Sequence, residues 1–149
     1  MPFVYAAKFV CGTFGSEQTP PAQEGPVEPG NYATAINIHN PNPNTVSFGK
    51  KAVLLYSVAE KDIGPETPRP PSLPVVPAEL PPDWGMEIDG PDIRDVLLHQ
   101  GPPAPNFIKG WVVIESPDFP LDVVAVYTVQ ALEAAEVSIA IDRVTATQV

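Results

Sequence analysis

Cysteine, histidine and basic side chains are scarce in this 149-residue chain: one Cys, two His, and 8 Lys plus Arg against 18 Asp plus Glu. A lone Cys cannot pair within the chain, which excludes a disulfide scaffold. The formal net charge of −10 repels phosphate, so nucleic-acid binding by bulk electrostatics is excluded and no basic patch would hold an anionic membrane. No run of 18 apolar residues exists to span a bilayer as a helix. The longest apolar stretches have strand length instead. Two imidazoles and one thiol do not make a zinc ligand set. The Gly-x-Ser-x-Gly elbow, the phosphate-cradling Gly loop and the dinucleotide fingerprint are also missing. The sequence therefore predicts no metal, no cofactor and no enzymatic activity.

Proline is abundant. The chain has 21 Pro, about three times ordinary usage, beside a hydrophobic content of 44% that suffices for a core. A length of 149 fits a single domain, 1–149. Pro cannot donate to a sheet ladder and breaks helix interiors, so its clusters mark connections. Between them lie β-rich segments. Residues 3–11 read as a strand punctuated by Gly12. Lys8 interrupts this apolar stretch, which lacks the pattern of a leader. The compartment stays open: cytoplasmic, or secreted or periplasmic if a signal peptide was removed.

Residues 32–39 alternate Tyr32, Thr34, Ile36 and Ile38 against Ala33, Ala35, Asn37 and His39. The turn cluster Asn40-Pro41-Asn42-Pro43-Asn44 leads to a second alternating run, 45–58, and the pair reads as an antiparallel hairpin. Gly49 in that run predicts a bulge. Val75-Val76 reads as a brief pairing at a sheet edge, and 84–88 as a short strand. A short helix is expected near 91–99, with Ile93, Val96 and Leu97 as its buried stripe. Segments 107–115 and 121–129 are the strongest strands, and the five residues between them suit a hairpin. Residues 131–136 allow a helical turn, and 137–144 alternate as a last strand. The economical architecture is an all-β antiparallel sandwich of about seven or eight strands with one short peripheral helix.

Two resemblances accompany this reading. The runs Lys8-Phe9-Val10-Cys11-Gly12, Ile36-Asn37-Ile38-His39-Asn40-Pro41, Val112-Val113-Ile114-Glu115-Ser116-Pro117 and Leu121-Asp122-Val123-Val124-Ala125-Val126-Tyr127-Thr128 resemble a group of small uncharacterised bacterial proteins. That likeness covers most of the chain and implies no activity. The order of strand, Asn-rich turn and long strand, then Val76-Pro77-Ala78 and the 114–124 region, is similar to the sensory rhodopsin transducer family. That resemblance implies a β-sandwich that assembles as a tetramer and binds partners instead of catalysing.

Few residues invite a chemical role. His39, at a strand end, reads as a ligand or general base or, more blandly, as a surface or turn-capping group. Glu87-Ile88-Asp89-Gly90-Pro91-Asp92 looks like a calcium-loop fragment without its bidentate Glu and is better read as helix capping. Cys11 has no adjacent basic cluster to activate it and reads as a buried strand residue. Glu115 and Asp122 form the one conceivable acid–base pair, against a bland reading in which either pairs with Lys109 or Arg143.

Residues 59–83 hold eight Pro, and residues 60–95 hold nine acids against three bases. Pro presets φ, so a Pro-dense segment loses little entropy on docking. The leading expectation is thus a non-enzymatic interaction module. It would form a homo-oligomer through β-strand contacts and Pro-rich arms at 15–31 and 59–83. Phe14, Trp84, Phe119 and Arg69 are its candidate contact residues. Phe3, Phe9, Tyr32, Phe48, Tyr56, Trp111 and Tyr127 are assigned to the core. The alternative is a small-ligand or glycan-binding sandwich using an exposed Trp84 with nearby carboxylates.

Overall fold

Strand β1, Phe3–Phe14, belongs to both layers of the molecule. A computed structural model describes residues 1–15, 28–55, 75–98, 106–132 and 135–149. Tyr5, Ala7, Phe9 and Cys11 alternate into the core, as the period-2 pattern dictates. Up to Cys11 the strand pairs with β6, Ile108–Ser116. From Gly12 to Phe14 it pairs instead with β2, Gly30–His39. Gly12 does not end the strand, contrary to the expectation from sequence. It turns it, at φ 107°, where a Cβ would lie 1.8 Å from the Asn106 carbonyl oxygen. Only Gly fits that bend.

The first sheet, here sheet A, runs β4–β3–β6–β1, with β3 at Val46–Leu54 and β4 at Val76–Leu80. The short β9, Thr147–Gln148, pairs with the start of β1. In sheet B, β2 pairs along its whole length with β7, Asp122–Ala131, and β7 pairs with β8, Val137–Arg143. The other side of β2 is shared by the end of β1 and by β5, Gly85–Ile88. Every pairing is antiparallel, and the strand path stays open at β4 and β8 without closing into a barrel. This is the expected sandwich, with nine strands among the described residues.

The core lies between the sheets. Phe9, Ile36, Ile114 and Val112 are fully buried there, with Ile38, Val46, Ile88 and Val123 almost so. Burial of side chains this size is worth roughly 1.5–3 kcal/mol each. Where β1 and β2 diverge, the ladder is interrupted, and the Thr34 side chain fills in for it. Its hydroxyl donates to the Val10 carbonyl at 3.0 Å and accepts from the Val10 amide at 2.9 Å.

Several expected pairings are corrected. Neither five-residue connection makes a hairpin. Segments β2 and β3 lie in different sheets, and so do β6 and β7, so both connections cross from one layer to the other. Sheets stack about 10 Å apart, a span five residues cover easily. Gly49 makes no bulge, since the register of β3 runs through it unbroken on both sides. A Cβ there would sit 2.4 Å from Val75 Cγ1, which explains the glycine by close approach instead.

The helix, α1, is Gly90–Asp92 continued by a π-turn over Ile93–Leu97. Asp89 and Asp92 form a reciprocal capping box at its start. The Leu98 amide bonds the Ile93 carbonyl, five residues back. This wider turn moves the inner face to Ile93, Leu97 and Leu98 and leaves Val96 exposed, contrary to the expected stripe. Ala131 continues β7 and does not begin a helical turn; Glu133 and Ala134 of the expected turn lie outside the described residues.

Candidate functional site

One end of the sandwich is organised by a buried side chain. Asn40 is fully buried, and its Nδ2 donates to the carbonyls of Asn44 and Leu80, both at 2.8 Å. Its Oδ1 accepts from the Asn42 amide and side chain. Its backbone N–H and C=O pair with Trp84 and Asp83. Asn42 in turn donates to the Pro120 carbonyl at 2.7 Å. Three connections, 40–44, 81–84 and 117–121, are thereby tied into one rigid surface.

That surface carries two of the sequence-predicted contact residues. Trp84 is 63% exposed and Phe119 37% exposed. It also assembles a polar chain in which the Asp122–Arg143 pairing was one of the readings of the sequence, while the links of His39 to Asp83 and Asp122 were not foreseen. His39 Nε2 lies 3.6 Å from Asp83 Oδ1, and its Nδ1 lies 3.5 Å from Asp122 Oδ2. Asp122 Oδ1 lies 3.6 Å from Arg143. The register explains it: His39 pairs with Asp122 on one side and with Gly85, next to Trp84, on the other. Asp83 adopts φ 59°, a left-handed turn position that Asp tolerates better than most residues.

The other predicted residues fall elsewhere. Phe14 is 7% exposed and packs on Phe107 at 5.1 Å between centroids, so it belongs to the hydrophobic interior and is not displayed as an anchor. The bend at Gly12 turns it inward. Arg69, most of the two arms, Tyr56 and His99 lie outside the described residues. Glu115 and Asp122 are on different sheets. Glu115 meets Lys51 at 3.3 Å while Asp122 joins the His39 chain, so they form no acid–base pair. Trp111 is corrected from core to outer face, where the Lys8 ammonium sits 4.6 Å above its ring. Cys11 is buried, and burial pushes its thiol pKa up, which suppresses the thiolate. Among the described residues no group of three or more His, Cys, Asp or Glu is placed to hold a metal ion.

Two hollows flank sheet B. One, of about 410 Å³, opens beside the β1 bend and is lined by Cys11, Thr34, Ala35, Pro91 and Arg94 among others. The second, of about 210 Å³, lies under β8 and is lined by Val10, Tyr127, Val129, Ser138 and Ala140. It exists because sheet A does not reach beneath β8. Every residue of that strand is exposed on its own chain, including Val137 at 57%, Ile139 at 67% and Ile141 at 71%. The alternation of 137–144 predicts a strand, and a strand forms, yet its large side chains face outward.

The fold and this geometry place the chain among antiparallel β-sandwich proteins with an uncovered edge strand. Neither a scan against protein-family models nor a search of curated proteins gives a match. Among solved structures, the crystal structure of Thermotoga maritima 1070 is similar, with a TM-score of 0.51 over 96% of this chain and 90% of that one. The identity is 9%, so the likeness concerns fold alone. No described helix is long and apolar enough to cross a membrane.

Proposed function

We propose that this chain is a non-catalytic interaction module that assembles with copies of itself through β-strand contacts and its Pro-rich arms. The observation that carries this reading is the outer surface of sheet B. Its middle is built from Ala33, Ala35, Val124, Val126, Thr128, Ile139 and Ile141, without a charge. Among the described residues, charged groups flank it: Glu87 on β5 and the His39–Asp122–Arg143 chain at one end, and Asp89 and Arg94 of α1 beside Ala33 and Ala35. An apolar sheet surface ending in an exposed strand fits contact with another chain. Multi-angle light scattering tests the reading. The expected mass is a multiple of 15.9 kDa, and a single-chain mass across the concentration range would end it.

A second reading rests on Trp84. An exposed indole beside Asp83 and the His39 chain offers a stacking face with adjacent polar groups, which suits a sugar or another small ring. Titration with neutral oligosaccharides would quench Trp84 emission, and Trp84→Ala would abolish the change. Equal quenching in that variant would remove the reading.

A further inference from the structure

We propose that β8 pairs antiparallel with β8 of a second copy, about a two-fold axis at Ala140, so that the two B sheets become one. This rests on the self-assembly reading and names its contact.

The main chain selects the register. The Val144 amide donates to the Val123 carbonyl, continuing the ladder between β8 and β7. Antiparallel partners alternate between bonded and non-bonded pairs. Counting back by twos, the even residues of β8 turn their N–H and C=O toward β7. Those of Val137, Ile139, Ile141 and Arg143 therefore point to the free edge. Among the described residues, no segment pairs with that edge.

A two-fold axis normal to the sheet keeps outer faces on the same side, so only residues of like parity can oppose. Centring on Ala140 overlaps all seven residues of β8. It sets Ile139 opposite Ile141 and Val137 opposite Arg143. Ser138 meets Asp142, and no like charges meet. The outward N–H and C=O groups then fall in the bonded pairs, as the ladder requires. Moving the centre to Ile139 would set Asp142 against Glu136, and moving it to Asp142 would oppose two aspartates; like charges directly opposite are destabilising. Moving it to Ile141 would place Arg143 against Ile139 and interrupt the apolar ladder. A second copy suits this edge because the strand is complementary to itself in one register. Ser138, Ala140 and Asp142 are exposed on the inward side, so no part of sheet A blocks the approach.

Ala140 would face its own counterpart in a non-bonded pair, at a Cα separation of about 4.5 Å that a disulfide can span. Val137 would lie roughly 20 Å from its counterpart. The full chain carrying Ala140→Cys, treated with diamide, should therefore yield a covalent dimer. Val137→Cys and the parent with its buried Cys11 should not. Ile139→Lys, an exposed position that leaves the core intact, should at least halve the mass seen by light scattering. An oligomer that survives Ile139→Lys and gives no Ala140→Cys crosslink would overturn this pairing while leaving self-assembly standing. A parent of single-chain mass would overturn both.

Discussion

The two sheets of the sandwich end differently and dress their outer faces differently. At the A edge, β4 carries Pro77, which has no amide to donate, and Glu79. At the B edge, β8 carries Val137, Ile139 and Ile141, with charge confined to its last two residues, Asp142 and Arg143. Across the outer face of sheet A, Lys51 meets Glu115, and Lys8 covers Trp111. On the corresponding strip of sheet B, Val124, Val126, Ile139 and Ile141 have aliphatic neighbours and no lysine pairing or stacking among the described residues. Pro and inward or exposed charge are how soluble sheets discourage unwanted pairing. One described edge of this protein has those guards and the other lacks them, and the proposed self-assembly would use the unguarded one.

The comparison can be broken at its root. Gly12 is where β1 passes from one layer to the other. Gly12→Val meets both the Asn106 carbonyl and a disfavoured φ, and should cost about 4 kcal/mol or more, removing the cooperative melt. Asn40→Ala comes next. It strips hydrogen bonds from the buried Leu80 carbonyl and the Asn44 carbonyl and loosens the surface that presents Trp84, for a loss of about 2–3 kcal/mol by denaturant titration. A drop smaller than about 1 kcal/mol would show that water replaces these bonds.

Exchanging the guards sharpens the contrast. Pro77→Val with Glu79→Val should make the A edge adhesive and raise the mass above that of the parent. Ile141→Glu should lower it. Ile141 is exposed, and surface changes of this kind move stability by about 0.5 kcal/mol or less. Equal masses for both variants would mean that neither edge governs association.

The smallest expected effect concerns alkali. Burial raises the pKa of the Tyr5 and Tyr127 phenols and of the Cys11 thiol. The folded state keeps these protons to higher pH than the unfolded chain. Their contribution is therefore complete below the ordinary range of about 8.5–10 and is lost as pH climbs beyond it. Lys8 opposes them. Burial, then Lys109, lowers its pKa, so stability from that source grows with pH up to the ordinary lysine value. The melting temperature should fall between about pH 9 and 11. It should fall more steeply in Lys8→Met, which removes the one opposing group on the outer face of sheet A.

Alternation and Pro punctuation made the strands legible, including the edge strand at Val76 and the capping of α1. Partner choice was not legible. A five-residue connection fits a hairpin or a crossing between layers equally well. The decision rests on Asn40, whose buried amide bonds to Leu80, far away in sequence. The side that a strand presents was legible only where both sheets overlap. Trp111 lies outside because Ile108, Val112 and Ile114 hold the inward phase of β6. Ile139 and Ile141 lie outside because the register sets them beside Thr128 and Val126 on the outer face, and Ser138, Ala140 and Asp142, which turn inward, find no sheet A beneath them; neither fact has a local signature. His39 and Asp122 were each visible as odd polar residues, but their adjacency depends on the register between β2 and β7.

Because β1 is a member of both layers, neither sheet can detach while the other persists. Amide protons at Phe9, in the half shared with β6, and at Phe14, in a bonded pair with Gly30 of β2, should thus exchange with solvent at a common rate set by global opening. Mechanical pulling along this strand should likewise release the whole molecule in one event.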